Sequence, residues 1–394
     1  MRFLLLVSLL LFHIPASDAA SAITQFNRLK NAGLLVIDNE GNEKRSRNAD
    51  TKYVPASTVK VLTALVALET WGEDYRFTTE FYIDTNDNRL WIVGKGDPYL
   101  VSEEIDLIID KIKQSYIGTI SGIGIDSTYF SEPIVIDGQS STSNPYDAPV
   151  GALAANFNTI KIKIRNRKIY TGEKQTPLTP LAQKLGWKLG SGTHRLNLGS
   201  ATKGPRYFGE LVHEKLKLAK LIDKRNISTG KLPASAEYLF VHENSRNLAE
   251  VVTSMLKFSN NFIANQLYLT LGAEYQGAPA SMEKSNAVFE EFIANNFYWN
   301  NYKLNEGAGL SRRNQLSARQ LVDIMERFKP YQHLMPRQDK SERILAKTGT
   351  LNNVNTYAGY INVNGELQSF AMLINQRVNR DFRKQLASYL YRNP

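Results

Sequence analysis

A serine and a lysine three residues apart begin a long apolar segment and could together carry out acyl transfer. Ser57 and Lys60 open a stretch that runs to Leu68, in which almost every side chain is apolar. On a helix, residues i and i+3 lie on one face, about 5–6 Å apart at Cβ. A lysine that apolar neighbours desolvate can lose its proton and then accept one from a serine hydroxyl. Ser57 is therefore a candidate nucleophile, and Lys60 is its candidate base.

The same Ser-x-x-Lys spacing occurs twice more, so the pattern alone is weak evidence. Ser228 is followed by a glycine and a proline, which indicates a turn. Ser281 precedes an amphipathic segment and is expected to be the N-cap of a half-exposed helix, with Lys284 in solvent. Only Ser57 precedes a segment that is apolar on all sides. On the pattern alone, an ordinary helix N-terminal serine beside a solvated lysine is an equally good interpretation of Ser57.

Two further motifs carry groups that fit the same chemistry. A Lys-Thr-Gly motif at residues 347–349 falls on a predicted C-terminal strand, where its lysine would bind a substrate carboxylate and help keep Lys60 neutral. Its threonine would add a hydroxyl, and its glycine would let a substrate backbone approach the strand. A Ser-x-Asn turn from Ser259 to Asn261 lies at a junction of predicted helices. Serine acyltransferases that attack D-alanyl peptides and β-lactams use this set.

Six short blocks occur in an order that resembles class C low-molecular-mass penicillin-binding proteins, the D-Ala-D-Ala carboxypeptidase/endopeptidases. They are Pro-Ala-Ser-Thr-Val-Lys at 55–60, Gly-Asp-Pro at 96–98, Phe-Gly-Glu-Leu at 208–211, Lys-Phe-Ser-Asn-Asn at 257–261, Gly-Ala-Gly-Leu-Ser-Arg at 307–312 and Ala-Lys-Thr-Gly-Thr at 346–350. The resemblance spans roughly residues 30–390. It departs from the family beside the fifth block, where Glu306 stands in place of the usual aspartate.

The resemblance implies catalytic roles for several of these residues. Ser57 would be the acylated nucleophile and Lys60 its base, while Ser259 would relay a proton to the leaving D-alanine. The oxyanion would sit between the backbone N–H groups of Ser57 and Thr350. No metal or organic cofactor is implied.

Substrate binding would fall to the Ser-x-Asn turn and to the Lys-Thr-Gly strand. By the same resemblance, Asn261 would hold the substrate amide, and Lys347 and Thr348 would hold its terminal carboxylate, with Gly349 and Thr350 completing the binding strand. The implied substrates are peptidoglycan stem peptides, and the implied inhibitors are β-lactams.

Two other functions fit the same residues. A β-lactamase would use the same nucleophile but needs fast deacylation. The chain lacks a Glu-x-x-Leu-Asn stretch of the kind that positions the hydrolytic water in one class of those enzymes. A non-catalytic module that binds β-lactams or the cell wall would keep the pocket without turning over peptide.

The elements predicted along the chain give an α/β (α+β) fold with one interruption. Residues 23–75 and 241–394 contain buried strands and helices and are predicted to form a transpeptidase/β-lactamase-like catalytic domain. By resemblance, this domain has a five-stranded antiparallel sheet flanked by helices. Residues 76–240 alternate short β segments with turns and are predicted to be an inserted β-rich domain.

The N-terminus is typical of a signal peptide over residues 1–22, with one arginine, a short apolar core and then small residues. This predicts export to the periplasm, on the cell-wall side of the inner membrane. No later stretch has eighteen uninterrupted apolar residues, so no transmembrane segment is predicted. The last helix is basic and amphipathic, which allows at most peripheral membrane contact; packing on the sheet is the preferred interpretation.

The composition excludes several classes of site. The chain has no cysteine, which excludes disulfides, a thiol nucleophile and thiolate metal sites. The formal net charge of +10 suits polyanionic surroundings such as a cell wall, but no basic cluster with interleaved aromatics indicates nucleic acid. His213-Glu214 would need a histidine at position 217 for a zinc hydrolase motif, and that residue is Lys217.

Overall fold

The computed structural model describes residues 16–222, 224–338 and 343–394, so most of the predicted signal peptide lies outside the described residues. The helices within these ranges, numbered in chain order, are α1 (Ala16–Asn27), α2 (Lys60–Trp71), α3 (Ser102–Ser115), α4 (Pro180–Gly186), α5 (Lys203–Leu218), α6 (Leu248–Phe258), α7 (Asn261–Gln276), α8 (Met282–Asn296), α9 (Ala318–Phe328) and α10 (Phe382–Arg392). The strands are β1 (Ala32–Ile37), β2 (Glu43–Arg47), β3 (Thr78–Asp84), β4 (Arg89–Gly94), β5 (Gly122–Asp126), β6 (Thr159–Arg165), β7 (Lys168–Thr171), β8 (Gly192–Asn197), β9 (Ile227–Thr229), β10 (Ala236–Glu243), β11 (Ile344–Leu351), β12 (Val354–Val363) and β13 (Glu366–Ile374).

The main sheet has five antiparallel strands, as predicted, and their order is β11-β12-β13-β1-β2. Successive side chains on a strand point to opposite faces. On β1, Leu34 packs with residues of α1 and α10, whereas Leu35 packs with residues of α2 and α9. On β13, Phe370 likewise packs with residues of α1 and α10, and Ala371 packs with residues of α2 and α9. Helices therefore cover both faces of the main sheet.

Helix α2 lies at the centre of the molecule. All its residues from Lys60 to Leu68 are buried, and it contacts α6, α7 and α9. A helix that is apolar on all sides gains most from such a position. A 3-10 turn at Ala56–Val59 precedes α2, so Ser57 lies in a tighter turn than the predicted α-helix. With three residues per turn, residues i and i+3 eclipse, which sets Lys60 directly beside Ser57.

The region between α2 and α6 forms two further sheets. One is mixed, with strand order β10-β3-β4-β5-β9, and the other is antiparallel, with order β7-β6-β8. Part of this region joins the main core instead, because Phe130, Ile136 and Val150 pack with residues of α2 and α7. The division of the chain into a catalytic domain and an insertion stays a prediction.

Helix α10 packs on the main sheet, as its apolar stripe predicted. Phe382, Leu386 and Leu390 are buried with residues of β12 and β13. Among the residues that the structure describes, no helix is both long enough and apolar enough to cross a membrane.

Replacing Leu65 by alanine should destabilise the fold strongly, because Leu65 is fully buried in α2. Loss of a buried leucine side chain leaves a cavity and costs about 2–5 kcal/mol. The matched control is Leu218→Ala, since Leu218 is 79% exposed at the end of α5 and should change stability by no more than about 0.5 kcal/mol. Urea unfolding followed by circular dichroism measures both variants. Equal unfolding midpoints would contradict the central position of α2.

Candidate active site

The turn that carries Ser57 packs closely against β11 and against the loop at residues 306–309. A Cβ at Gly349 would lie 2.1 Å from Thr356 Oγ1 and 2.9 Å from the Ser57 nitrogen. A Cβ at Gly309, where φ is +81°, would lie 2.0 Å from the Ala56 carbonyl oxygen. Only glycine fits at such distances, and only glycine takes this φ without strain. Gly349 was predicted to be glycine so that a substrate backbone could approach β11. The structure shows another reason: a side chain at this position would collide with the turn that carries Ser57.

The Lys60 amine is fully buried and has three polar neighbours. Its Nζ lies 3.1 Å from Ser57 Oγ, 2.7 Å from Asn261 Oδ1 and 2.5 Å from the Ala308 carbonyl oxygen. Burial lowers the pKa of Lys60 to about 7, although the Glu306 carboxylate acts in the opposite direction. A neutral amine has two N–H groups and one lone pair. If the two carbonyl oxygens accept the N–H groups, the lone pair is left for the Ser57 hydroxyl, which is the arrangement of a general base.

The buried carboxylate of Glu306 shapes the loop that supplies one of these carbonyls. It accepts backbone N–H groups from Ala308 at 2.8 Å, Gly309 at 2.7 Å and Ser311 at 3.2 Å. The Asn314 side chain donates to the same carboxylate at 2.8 Å. Hydrogen bonds to a charged acceptor are stronger than neutral ones. Glu306 therefore fixes the loop so that the Ala308 carbonyl faces the buried amine.

Ser259 lies between α6 and α7 in the left-handed conformation, with φ 52° and ψ 42°. Its Oγ accepts a hydrogen bond from Lys347 Nζ at 2.8 Å, and the same amine donates to the Thr348 carbonyl oxygen at 2.6 Å. A hydroxyl that accepts from an amine still has its own proton to donate. Lys347 is 1% exposed, and burial, with the charges of Lys60 and Arg383, holds its pKa well below the usual range.

Asn261 uses both ends of its side-chain amide. Its Oδ1 accepts from Lys60, and its Nδ2 donates to the Tyr146 carbonyl oxygen at 3.1 Å. The preceding Asn260 caps α7, because its side chain accepts the Ile263 N–H at 3.2 Å. An amide nitrogen carries two hydrogens, so one N–H of Asn261 is left to bind a ligand.

Arg383 of α10 reaches the end of β11. Its Nη1 donates to the Gly349 carbonyl oxygen at 3.2 Å and lies 3.0 Å from Thr350 Oγ1 and 3.1 Å from Asn355 Oδ1. Burial lowers the pKa of Arg383 below its usual range. The hydroxyl of Thr350 is thus engaged by an arginine, and the predicted oxyanion role concerns its backbone N–H instead.

The structure brings the predicted residues to one place in two hydrogen-bonded sets. One set joins Ser57, Lys60 and Asn261, and the other joins Ser259 to Lys347 on the strand that also carries Thr348, Gly349 and Thr350. Sequence reasoning missed Tyr146 and Arg383, which belong to no motif. It noted Glu306 only as a departure from the family pattern. The chemical role of each residue stays a prediction.

The two rejected Ser-x-x-Lys matches have other roles. Ser281 is the N-cap of α8, as predicted, since its hydroxyl accepts the Lys284 N–H at 3.2 Å. The turn predicted at Ser228 is wrong: this residue lies in β9, where parallel pairing with β5 sets its conformation, and its hydroxyl accepts from Arg89 at 3.2 Å. Within 16–222, 224–338 and 343–394, no group of three or more histidine, aspartate or glutamate side chains is arranged to hold a metal ion.

Comparison with known proteins gives consistent matches along nearly the whole chain. The sequence profile of the D-Ala-D-Ala carboxypeptidase 3 (S13) family matches residues 16–185 and 195–393. The D-alanyl-D-alanine carboxypeptidase of Actinomadura sp. is 25% identical over 409 residues, which cover 84% of this chain and 75% of that protein.

Two solved structures share the fold. Penicillin binding protein 4 (dacB) of Haemophilus influenzae superposes with a TM-score of 0.78 at 19% identity, over 95% of this chain and 99% of that chain. The penicillin G-acylated predatory endopeptidase Bd3459 of Bdellovibrio bacteriovorus superposes with a TM-score of 0.55 at 15% identity, over 93% of this chain and 91% of that chain.

Replacing Glu306 by glutamine should shift the pH dependence of acylation to lower pH. A glutamine oxygen in the place of Oε1 keeps most of the loop's hydrogen bonds, but the charge that raises the pKa of Lys60 is lost. Acylation needs neutral Lys60, so its rate should rise with pH through the pKa near 7, and the variant should reach half of its maximum at lower pH. The second-order rate of labelling by a fluorescent penicillin, followed from about pH 5 to pH 9, measures this.

The control for this shift is Glu366→Gln, because Glu366 is exposed at the start of β13. Its pH profile should match that of the unmodified protein. A Glu306→Gln profile that stays in place or moves to higher pH would contradict the electrostatic link between the loop and Lys60.

Proposed function

We propose that this chain, which belongs to the D-Ala-D-Ala carboxypeptidase 3 (S13) family, cleaves its substrate through an acyl-enzyme at Ser57. The protein is a class C penicillin-binding protein and a serine-type D-Ala-D-Ala carboxypeptidase/endopeptidase. One observation carries the proposed mechanism: the buried Lys60 amine lies 3.1 Å from the Ser57 hydroxyl and has a pKa near neutrality.

Acylation begins at the Ser57–Lys60 pair. Ser57 Oγ attacks the carbonyl carbon of the penultimate D-alanine and forms a C–O bond, while its proton passes to Lys60 Nζ. The carbonyl oxygen becomes an oxyanion, for which the backbone N–H groups of Ser57 and Thr350 are the proposed donors. The remaining N–H of Asn261 is proposed to bind an amide carbonyl of the substrate.

The second set of residues serves the leaving amine. As the C–N bond breaks, the Ser259 hydroxyl gives its proton to the departing nitrogen, and Lys347 Nζ, 2.8 Å away, returns one to Ser259. With the amine gone, the proton held by Lys60 passes through solvent to Lys347, so Lys60 is neutral again and Lys347 is recharged. A water molecule then attacks the ester carbonyl carbon and gives its proton to Lys60. Lys60 passes that proton to Ser57 Oγ as the ester C–O bond breaks, which restores the free serine. Lys60 and Ser259 thus handle protons on opposite sides of the scissile bond.

The substrate carboxylate is proposed to bind at Lys347 and Thr348. A carboxylate beside Lys347 favours its charged form, so it offsets the burial that lowers the pKa of this lysine. A charged Lys347 in turn disfavours a proton on Lys60. Binding of the correct substrate therefore helps to prepare the base.

Peptidoglycan stem peptides are the proposed substrates, and β-lactams are proposed to acylate Ser57 in their place. The solved relative acylated by penicillin G supports the second proposal. Export to the periplasm, proposed from the apolar N-terminal segment, would bring the enzyme to the cell wall.

Replacing Ser57 by alanine should abolish covalent labelling by a fluorescent penicillin, because the attacking oxygen is removed. Labelling followed by electrophoresis measures this, and circular dichroism shows whether the fold is kept. The matched controls are Ser281→Ala and Ser228→Ala, which remove hydroxyls from the other two Ser-x-x-Lys matches and should label normally.

Persistent labelling of Ser57→Ala would refute the nucleophile assignment. Turnover of penicillin and of a peptide ending in D-Ala-D-Ala, measured side by side on the unmodified protein, separates the alternatives. Fast penicillin hydrolysis without peptide cleavage would identify a β-lactamase, and labelling without turnover of either would identify a binding module.

Replacing Lys347 by methionine should weaken binding of the substrate's terminal carboxylate. Loss of a charge-assisted contact of about 1.5–3 kcal/mol corresponds to a tenfold to 150-fold change. A peptide with a free C-terminal carboxylate should therefore lose more kcat/KM than its C-terminal amide. Both should slow to some degree, since Lys347 also affects Lys60. Equal losses would mean that Lys347 acts on the base and does not bind the carboxylate.

A further inference from the structure

A groove leads away from the catalytic centre along α6. Its first part, about 490 Å³ in volume, begins at Ser259 and Asn261. Its second part, also about 490 Å³, continues along α6 past Lys257 to Arg246. The two parts form one groove because they share three lining residues, Tyr99, Ser254 and Phe258. Volumes of this size are typical of ligand sites.

Aromatic rings and cations alternate along this groove. Phe258, the residue before the catalytic-site serine of the Ser-x-Asn turn, is 70% exposed although it is wholly apolar. Lys257 Nζ lies 5.4 Å from the centre of its ring. The Arg246 guanidinium lies 5.0 Å from the centre of the Tyr99 ring, which packs edge to face with Phe157 at 5.2 Å. Tyr146, which is 69% exposed, lines the same part of the groove as Phe258, and exposed apolar surface that is contiguous marks ligand-binding grooves.

The wall of the groove that holds Phe157 is strained. Asn156, Phe157 and Asn158 have φ values of 51°, 59° and 50°, so three consecutive residues other than glycine are left-handed. Asn156 Oδ1 accepts the Ser102 N–H at 2.9 Å, and Asn158 Nδ2 donates to the Pro149 carbonyl oxygen at 2.7 Å. Backbone strain of this kind persists where the surroundings enforce it, and it is frequent at ligand sites. It is a second observation, independent of the cavity, that singles out this wall.

The charge of the groove favours an anionic ligand. Arg195 of β8 lines the first part, and its side chain is 39% exposed although it pairs with Glu173. Arg246 and Lys257 line the second part, where Glu250 pairs with Arg246 at 3.3 Å. Three cations and one carboxylate therefore border the space, with Glu173 behind Arg195.

We propose that this groove binds the amine side of a cross-linked stem peptide, the part that departs when the cross-link is cut. This inference rests on the proposed function, in which Ser57 takes the acyl side and Ser259 protonates the amine. Ser259, which protonates the leaving amine, lines the start of the groove beside Asn261, and the groove then follows α6 away from the scissile bond. A single D-alanine ends at Lys347 and would not fill it. A cross-link releases an amine that carries a further peptide with free carboxylates, which complement the cations of the groove.

The test compares two sugar-free substrates on the full-length protein. One is a stem pentapeptide ending in D-Ala-D-Ala, and the other is a dimer of stem peptides joined by a D-alanyl bond to a side-chain amine. Replacing Arg195 by glutamine should lower kcat/KM for the dimer by about tenfold, as expected for one lost charge-assisted contact. The pentapeptide should change by less than about twofold, because its leaving group ends before the groove. Lys257→Gln should show the same preference for the dimer.

The matched control is Arg225→Gln, which removes an exposed arginine outside the groove and should leave both substrates unchanged. Melting temperature and the rate of penicillin labelling show that each variant keeps its fold and its catalytic centre. Equal losses on both substrates, or no loss on the dimer, would overturn the proposal. A loss seen only with a dimer that carries glycan would overturn it in favour of sugar binding.

Failure of this proposal can be told from failure of the proposed function. An unmodified protein that releases D-alanine from the pentapeptide but does not cut the dimer overturns the groove proposal alone. A protein that neither releases D-alanine nor is labelled by penicillin overturns the proposed function itself.

Discussion

The burial of the Lys60 amine is the constraint on which the rest of the site depends. A charged amine with no access to water is costly, and a neutral one is costly too unless its hydrogens and lone pair are satisfied. Three separate segments meet this need: the 3-10 turn of Ser57, the start of α7 at Asn261, and the loop that Glu306 holds at Ala308. Each segment lies where it does because α2 is buried from end to end of its apolar stretch.

A second buried lysine makes the electrostatics of the site responsive. Lys347 and Lys60 are both shielded from water, and the charge of Lys60 is one cause of the low pKa of Lys347. The Glu306 carboxylate has the opposite effect, because it raises the pKa of Lys60. In the proposed mechanism the protonation of the pair depends on whether a carboxylate is bound, so an empty site and an occupied site differ in charge without any movement of the backbone.

The parts of the molecule that sequence predicted are those determined by local patterns. The apolar run after Ser57 and the strands of the main sheet are visible in short windows. The 3-10 turn before α2 could not be predicted, because the same residues are compatible with an α-helix. Tyr146 contributes only its backbone carbonyl oxygen, which no side-chain motif reveals. Arg383 lies on α10, for which the sequence predicted packing on the sheet and no contact with the site. Glu306 holds its loop because three backbone N–H groups of the loop point at its carboxylate. The spacing of residues in the sequence does not reveal the direction of those N–H groups.

The strand order of the main sheet has a consequence for how the enzyme is made. β1, in which all six residues are buried, pairs with β13, so that Ala32 lies opposite Ile374 near the other end of the chain. Chains fold from the N-terminus as they are synthesised, and pairings between distant segments form slowly. The first strand can pair early with β2 on one edge, but its other edge must stay open and prone to aggregate until nearly the whole chain is present. Lys347 is also synthesised late, long after Ser57. The complete site can therefore form only when folding of the chain is nearly finished.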